Sequence, residues 1–69
     1  MDVIQKELES RRGEIEGAVE LLFKTNMKIT DWDVPEADDN EAAKIILDMM
    51  QTKLDSIKTD VESGKYNNY

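Results

Sequence analysis

Six carboxylates and no cation stand within residues 31–43, the densest group of chemically active side chains in the sequence. Asp31 and Asp33 begin a pattern like that of a calcium-binding loop, in which alternate residues supply oxygen ligands. The pattern then breaks, because Pro35 occupies the third ligand position and Ala42 stands where a bidentate Glu is required. The spacing therefore does not predict a metal site, and we expect no bound cofactor.

Catalysis has few candidate residues in this chain. It contains no His and no Cys, which excludes the commonest general base, a thiol nucleophile and a cysteine-based zinc site. Helical carboxylates that hold Mg²⁺ are the remaining possibility, but Asp48, Asp55 and Glu62 recur every seven residues, which is typical of a solvated helical stripe. The helical E-x-x-E motif of the MazG-type pyrophosphatases is also absent. We therefore predict that the protein is not an enzyme.

The net charge of -7 is unevenly distributed along the chain. Residues 31–43 account for -6, whereas residues 1–30 contribute -1 and residues 44–69 contribute none. No basic patch would attract nucleic acid or anionic lipid, and no apolar run approaches the roughly 20 residues of a membrane span. The composition predicts a cytoplasmic protein with no direct nucleic-acid partner and no membrane partner.

The first arm of the chain predicts a helix over about residues 2–25. Its apolar positions recur three and four residues apart, so that they line one helical face on which Arg11 also falls. Asp2 is expected to cap the first turn, and Asn26 predicts a left-handed stop. This arm therefore reads as one continuous amphipathic helix.

The second arm predicts a helix over about residues 39–63. Asp38 is expected as its N-cap, with Glu41 three residues later, and Gly64 stands where helices commonly end in a left-handed residue. The tail, residues 64–69, is predicted to fray. The two helices have nearly equal length, which favours their packing side by side.

The connecting loop is predicted to span about residues 26–38. Apolar residues alternate along it as in an extended chain, and Pro35 favours extended geometry at Val34. Trp32 is either a lid over the apolar end of the helices or an anchor for a partner, because Trp ringed by charge is common at binding hot spots. On the second interpretation the partner-binding residues are Trp32, Asp31, Asp33, Val34 and Glu36.

These elements predict one all-α domain over residues 1–69, an antiparallel two-helix hairpin with a long acidic connecting loop. Leu21, Ile45 and Met49 make the apolar stripes too wide for one hairpin to bury, so we expect pairing into a homodimeric four-helix bundle. The plan resembles the small Rop-type dimers in architecture, although their basic RNA-binding helix faces have no counterpart here. The residues predicted to form the core or the dimer interface are Ile4, Leu8, Ile15, Leu22, Phe23, Ile46, Leu47, Met50, Leu54, Ile57 and Val61.

Three functional hypotheses follow from this reading. The first is a non-catalytic, small acidic protein–protein interaction module, an adaptor, regulator or inhibitor that acts as a helical dimer. The second is an acidic decoy, similar to small phage proteins in size and charge, which occupies the basic site of a nucleic-acid-binding protein. A Mg²⁺-dependent carboxylate enzyme is the least favoured. The expected partners are a second copy of the chain and another protein.

Overall fold

Three helices and no strand make up residues 2–68, the part of the chain that this computed structural model describes. Helix α1 spans Val3–Ser10, α2 spans Arg12–Asp33 and α3 spans Asp39–Glu62. The predicted all-α class is thereby confirmed. Helix α2 packs against α3, whereas α1 touches only α2, the helix that follows it in the chain. The molecule is elongated, with dimensions of 49 × 27 × 17 Å.

The predicted first helix is divided at Arg11, whose backbone has φ -105° and ψ 7°. Its amide donates to the Leu8 carbonyl at 3.1 Å, three residues back instead of four. The Ser10 hydroxyl donates to the Glu7 carbonyl at 2.6 Å. Side-chain bonds of this kind compete with the regular helical pattern and bend helices, so the first arm consists of two helices.

Arg12 spans this break with its side chain. The guanidinium donates to the Glu9 carboxylate at 2.7 and 3.1 Å and lies 3.9 Å from the Glu16 carboxylate. The hydrogen bond to Glu9, followed by the charge of Glu16, raises the pKa of Arg12 above its ordinary value. Because all three side chains are exposed, these ion pairs contribute little to stability.

Helix α2 continues to Asp33, whereas the sequence predicted an end at Thr25. The connection to α3 is therefore residues 34–38 and not residues 26–38. Pro35 sets the start of the connection, since the residue before a proline is disfavoured in helical geometry. That preceding residue has φ -135° and ψ 74°.

The two additional turns of α2 form despite the low helix propensity of their Asn and Thr residues. Asn26 was predicted to stop the helix, but its side-chain amide donates to the Leu22 carbonyl at 2.8 Å. The Thr30 hydroxyl donates to the Asn26 carbonyl at 2.9 Å. Asn26, Met27 and Thr30 are also half-buried, and packing of this kind overrides propensity. The segment around Trp32, which was predicted to be extended, is consequently helical.

Two aspartates cap the helices whose starts the sequence predicted. The Asp2 carboxylate accepts from the Ile4 amide at 3.0 Å. The Asp38 carboxylate accepts from the Asn40 amide at 2.9 Å and from the Glu41 amide at 3.4 Å. Each bond satisfies a backbone donor that has no partner within the helix, so both N-cap predictions are confirmed.

Gly64 ends α3 in the left-handed conformation, with φ 88°. Its amide donates to the Val61 carbonyl at 3.1 Å, and the Lys65 amide donates to the Asp60 carbonyl at 3.0 Å. This pair of bonds is a Schellman motif, which satisfies the last carbonyls of a helix. The tail continues in turns after the motif, and Tyr69 lies outside the described residues.

The packing of α2 on α3 is too limited to make a core. No residue between 2 and 68 is buried, and every residue of α1 is exposed. The half-buried residues lie mainly near the connection, where α2 and α3 meet. They are Phe23, Asn26, Met27, Thr30, Ala37, Ala42, Ala43, Ile46, Met50, Asp60 and Gly64.

Two glycines should respond in opposite ways to a methyl group. A Cβ at Gly17 meets nothing within 4 Å, so Gly17→Ala should stabilise the chain by about 0.5–1 kcal/mol through helix propensity. Gly64→Ala should cost about 1–2 kcal/mol, because an L-residue is strained at φ 88°. Thermal unfolding followed by circular dichroism at one protein concentration measures both changes. A loss of stability in Gly17→Ala would contradict the open surroundings of that residue.

Candidate interaction surfaces

An open groove of about 400 Å³ lies between α2 and α3. Its walls are almost entirely aliphatic, and its side chains are far from covered: Met49 is 67% exposed and Leu22 is 54% exposed. We call this surface the α2–α3 groove. It is lined by Val19, Leu22, Asn26, Ile46, Met49, Met50, Lys53, Leu54 and Ile57.

A second groove, of about 460 Å³, continues this surface toward the connection. It shares Asn26, Ile46 and Met49 with the α2–α3 groove, so the two form one apolar surface along the molecule. Asp38 and Glu41 stand at its edge. The remaining lining residues are Thr30, Val34, Ala37, Ala42 and Ile45.

A third and smaller groove, of about 250 Å³, lies on α2 alone. We call it the Trp32 face, defined by Thr25, Lys28, Ile29, Trp32 and Asp33. Trp32 is 84% exposed. At 100° per residue it lies about 120° round α2 from Asn26, which lines the α2–α3 groove. Trp32 is therefore turned away from that groove, whereas Asp33, at the edge of the Trp32 face, lies only about 20° from Asn26.

The structure brings together part of the predicted partner-binding set. Trp32 and Asp33 line the same groove, whereas Val34 lines the surface between α2 and α3 near the connection. Asp31 and Glu36 are exposed and line none of the three grooves described above. The lid interpretation is wrong for Trp32, because a side chain that covered the apolar end would not be 84% exposed.

The carboxylates at the two helix ends next to the connection favour α3 and disfavour α2. Asp38, Asp39 and Glu41 stand at the start of α3, where the positive end of the helix dipole favours carboxylates. Asp31 and Asp33 stand in the last turn of α2, which holds no basic residue. The helix dipole is negative there, so these two carboxylates are unfavourably placed. None of the five forms an ion pair with another described residue.

The residues predicted to form the core or the dimer interface are mostly in solvent. Phe23, Ile46 and Met50 are half-buried, and the rest are exposed. The exposed members are Ile4, Leu8, Ile15, Leu22, Leu47, Leu54, Ile57 and Val61. They remain candidates for an interface between chains, since contacts within one chain leave them uncovered.

Sequence reasoning missed the polar part of the contact between α2 and α3. Asn26 and Thr30 are half-buried, and Thr30 lies about 80° round α2 from Leu22, a residue of the predicted apolar face. Ala42 was also missed, although Ala43 was expected on the apolar stripe of the second helix, and both are half-buried. The small side chain of Ala42 was the available signal, because small residues let two helix backbones approach closely.

Residues 2–68 hold no group of three or more carboxylates or other ligand side chains arranged for a metal ion. None of their helices combines the length and apolar character needed to cross a membrane. The predicted cytoplasmic location stays a prediction.

The exposure of Trp32 predicts a small effect of its removal on stability. Trp32→Ala should change the free energy of unfolding by less than about 0.5 kcal/mol, as is usual for surface substitutions. Phe23→Ala, which removes the half-buried aromatic of the same helix, should cost about 1–3 kcal/mol, less than a fully buried Phe. Thermal unfolding of both variants at equal concentration makes the comparison. Equal losses would mean that Trp32 is covered in solution.

The described residues thus form open grooves beside an uneven distribution of charge. The α2–α3 groove is apolar and open, and the Trp32 face combines an aromatic side chain with a carboxylate. No protein-family model, curated protein or solved structure matches the sequence or the fold of this chain.

Proposed function

We propose that this chain is a non-catalytic protein–protein interaction module that works as a homodimer. In this proposal α2, the connection and α3 form an antiparallel hairpin, and two hairpins pair through their α2–α3 grooves into a four-helix bundle. The observation that supports it is unfilled apolar surface: residues 2–68 bury no side chain, while large aliphatic residues line the groove. Such a chain gains apolar burial by binding another molecule.

The amount of exposed surface agrees with this role. The accessible surface is 6302 Å², whereas a folded monomer of 7.9 kDa is expected to expose about 4,400 Å². The difference is about 1,900 Å². If each of two copies buried half of this excess surface, the interface would remove about 1,900 Å² of accessible surface in total, which is within the range of stable interfaces.

The shape of the molecule accounts for this excess. The radius of gyration is 16.0 Å, against about 11 Å for a compact chain of the same length. An elongated pair of helices has a high ratio of surface to volume, and a second pair laid against it lowers that ratio. A bundle of four helices is therefore a more compact body than either half.

A second copy fits the α2–α3 groove by its chemistry. A two-fold interface places the same patch on both sides, so aliphatic side chains of one copy meet those of the other. Met49 and Met50 can adapt to irregular gaps in such an interface, and Lys53 can keep its ammonium in water while its stem packs. Like charge at the two acidic ends favours an arrangement that places them at opposite ends of the dimer.

A charge introduced into the groove tests this proposal. The wild-type chain should elute and scatter light as a dimer of about 16 kDa, twice the 7.9 kDa of one chain. Met49→Glu should raise the dimer dissociation constant by at least about a hundredfold, because an unpaired carboxylate is costly to bury. Sizing chromatography with light scattering, run over a series of concentrations, gives both values.

Thr52→Glu is the matched control, because it adds the same charge to an exposed position of α3 that lines none of the grooves. It should leave the dimer intact. A wild-type chain that is monomeric at all tested concentrations would rule out the proposed assembly. A dimer that tolerates Met49→Glu would place the interface on another face.

A further inference from the structure

We propose that the Trp32 face binds a cationic amphipathic segment of a partner protein. This inference rests on the proposed function as an interaction module and names the class of partner that the module takes. The face is distinct from the α2–α3 groove, since Trp32 lies about 120° round α2 from Asn26. A second copy seated in that groove leaves Trp32 in solvent and available to a different molecule.

The apolar part of the recognition comes from Trp32 and Ile29. They are 84% and 52% exposed, respectively, and they line a concave surface of about 250 Å³ with Thr25 and Lys28. Trp offers a large rigid contact area and dominates the binding energy of many interfaces. Aliphatic side chains on one face of a partner helix would occupy the space between Trp32 and Ile29, as in helix-in-groove recognition.

The cationic part of the partner follows from the charges beside Trp32. Asp33 lines the Trp32 face, whereas Asp31 lies on the other side of Trp32, about 160° round α2 from Asp33. Both stand in the last turn of α2, where the helix dipole is negative and which holds no basic residue. They form no ion pair with any described residue, and Glu36 adds a further exposed carboxylate to the connection. A Lys or Arg of the partner would relieve this repulsion, and it would also be attracted to the face of the Trp32 ring.

The arrangement also gives the bound segment a direction. Lys28 lies one helical turn before Trp32, so the end of the face away from the connection carries positive charge. The cations of the segment should therefore lie toward the connection, and its apolar side chains should lie over Ile29. A helix from the basic site of a nucleic-acid-binding protein has this chemistry, as do other basic amphipathic helices.

A designed peptide provides the probe. It is a fluorescein-labelled helix of about 14 Leu and Lys residues with all Leu on one face, and a scrambled peptide of the same composition is the comparison. Fluorescence anisotropy with the full chain should give tighter binding of the amphipathic peptide. Trp32→Ala should weaken it at least about tenfold, as removal of a hot-spot residue does.

The acidic residues are tested with a double variant whose two effects have opposite signs. Asp31→Asn with Asp33→Asn should weaken peptide binding about fivefold, with the difference disappearing at high salt. The same variant should raise the Tm of the free chain by a few degrees, because it removes negative charge from a negative helix end. Asp48→Asn with Asp55→Asn removes equal charge from the middle of α3 and should do neither.

The outcomes separate this inference from the proposed dimer. Three results would overturn the Trp32 face as a docking site for a cationic segment. They are equal binding of the scrambled peptide, no binding of either peptide, and unchanged affinity in both the Trp32→Ala and the Asp31/Asp33 variants. Each would leave the sizing result valid. Conversion of the dimer to monomer by Trp32→Ala would also overturn it, since the second copy would then cover this face. A loss of Tm in the Asp31/Asp33 variant would show that these residues are structural.

Discussion

The packing of α2 on α3 limits how much apolar surface one chain can remove from water. Two helices bury only the sides that they turn to each other, and here those sides include Asn26 and Thr30 as well as Ile46 and Met50. The aliphatic residues on either side of this contact stay exposed. The grooves, the elongated shape and the available binding surface all follow from that mismatch between wide apolar stripes and a narrow contact.

Much of the helical architecture could be predicted because it depends on local chemistry. Asp2 and Asp38 cap their helices, and Gly64 ends α3, since each satisfies backbone groups within a few residues. The end of α2 could not be placed in the same way. Asn26 can end a helix, but here its side-chain amide donates to the Leu22 carbonyl and the residue is half-buried. Helix propensity does not include such packing, so it could not predict that α2 continues.

The candidate site illustrates a different limit of sequence reasoning. The type of Trp32 and its acidic neighbours indicated an anchor, but the direction of the side chain depends on the backbone conformation. In an extended segment Trp32 and Val34 would share a face, whereas here Trp32 lies within α2 and Val34 lies just outside it, with φ -135° and ψ 74°. The end of α2 between these two residues separates them, and they line different grooves. The division of the first arm at Arg11 could not be predicted for a similar reason, since it depends on which carbonyl accepts from the Arg11 amide.

The carboxylates of the acidic segment differ in their effect on the two helices beside the connection. Carboxylates at the start of α3 complete a cap and match the dipole, so local stability is sufficient to explain them. Asp31 and Asp33 break the same rule at the end of α2, where lysine would be favourable and would leave the helix intact. Local rules are broken most often where a structure serves a purpose other than its own stability. Two carboxylates that the helix dipole does not favour therefore stand next to Trp32 in the chain, and Trp32 is a large side chain that contacts within the chain leave 84% exposed.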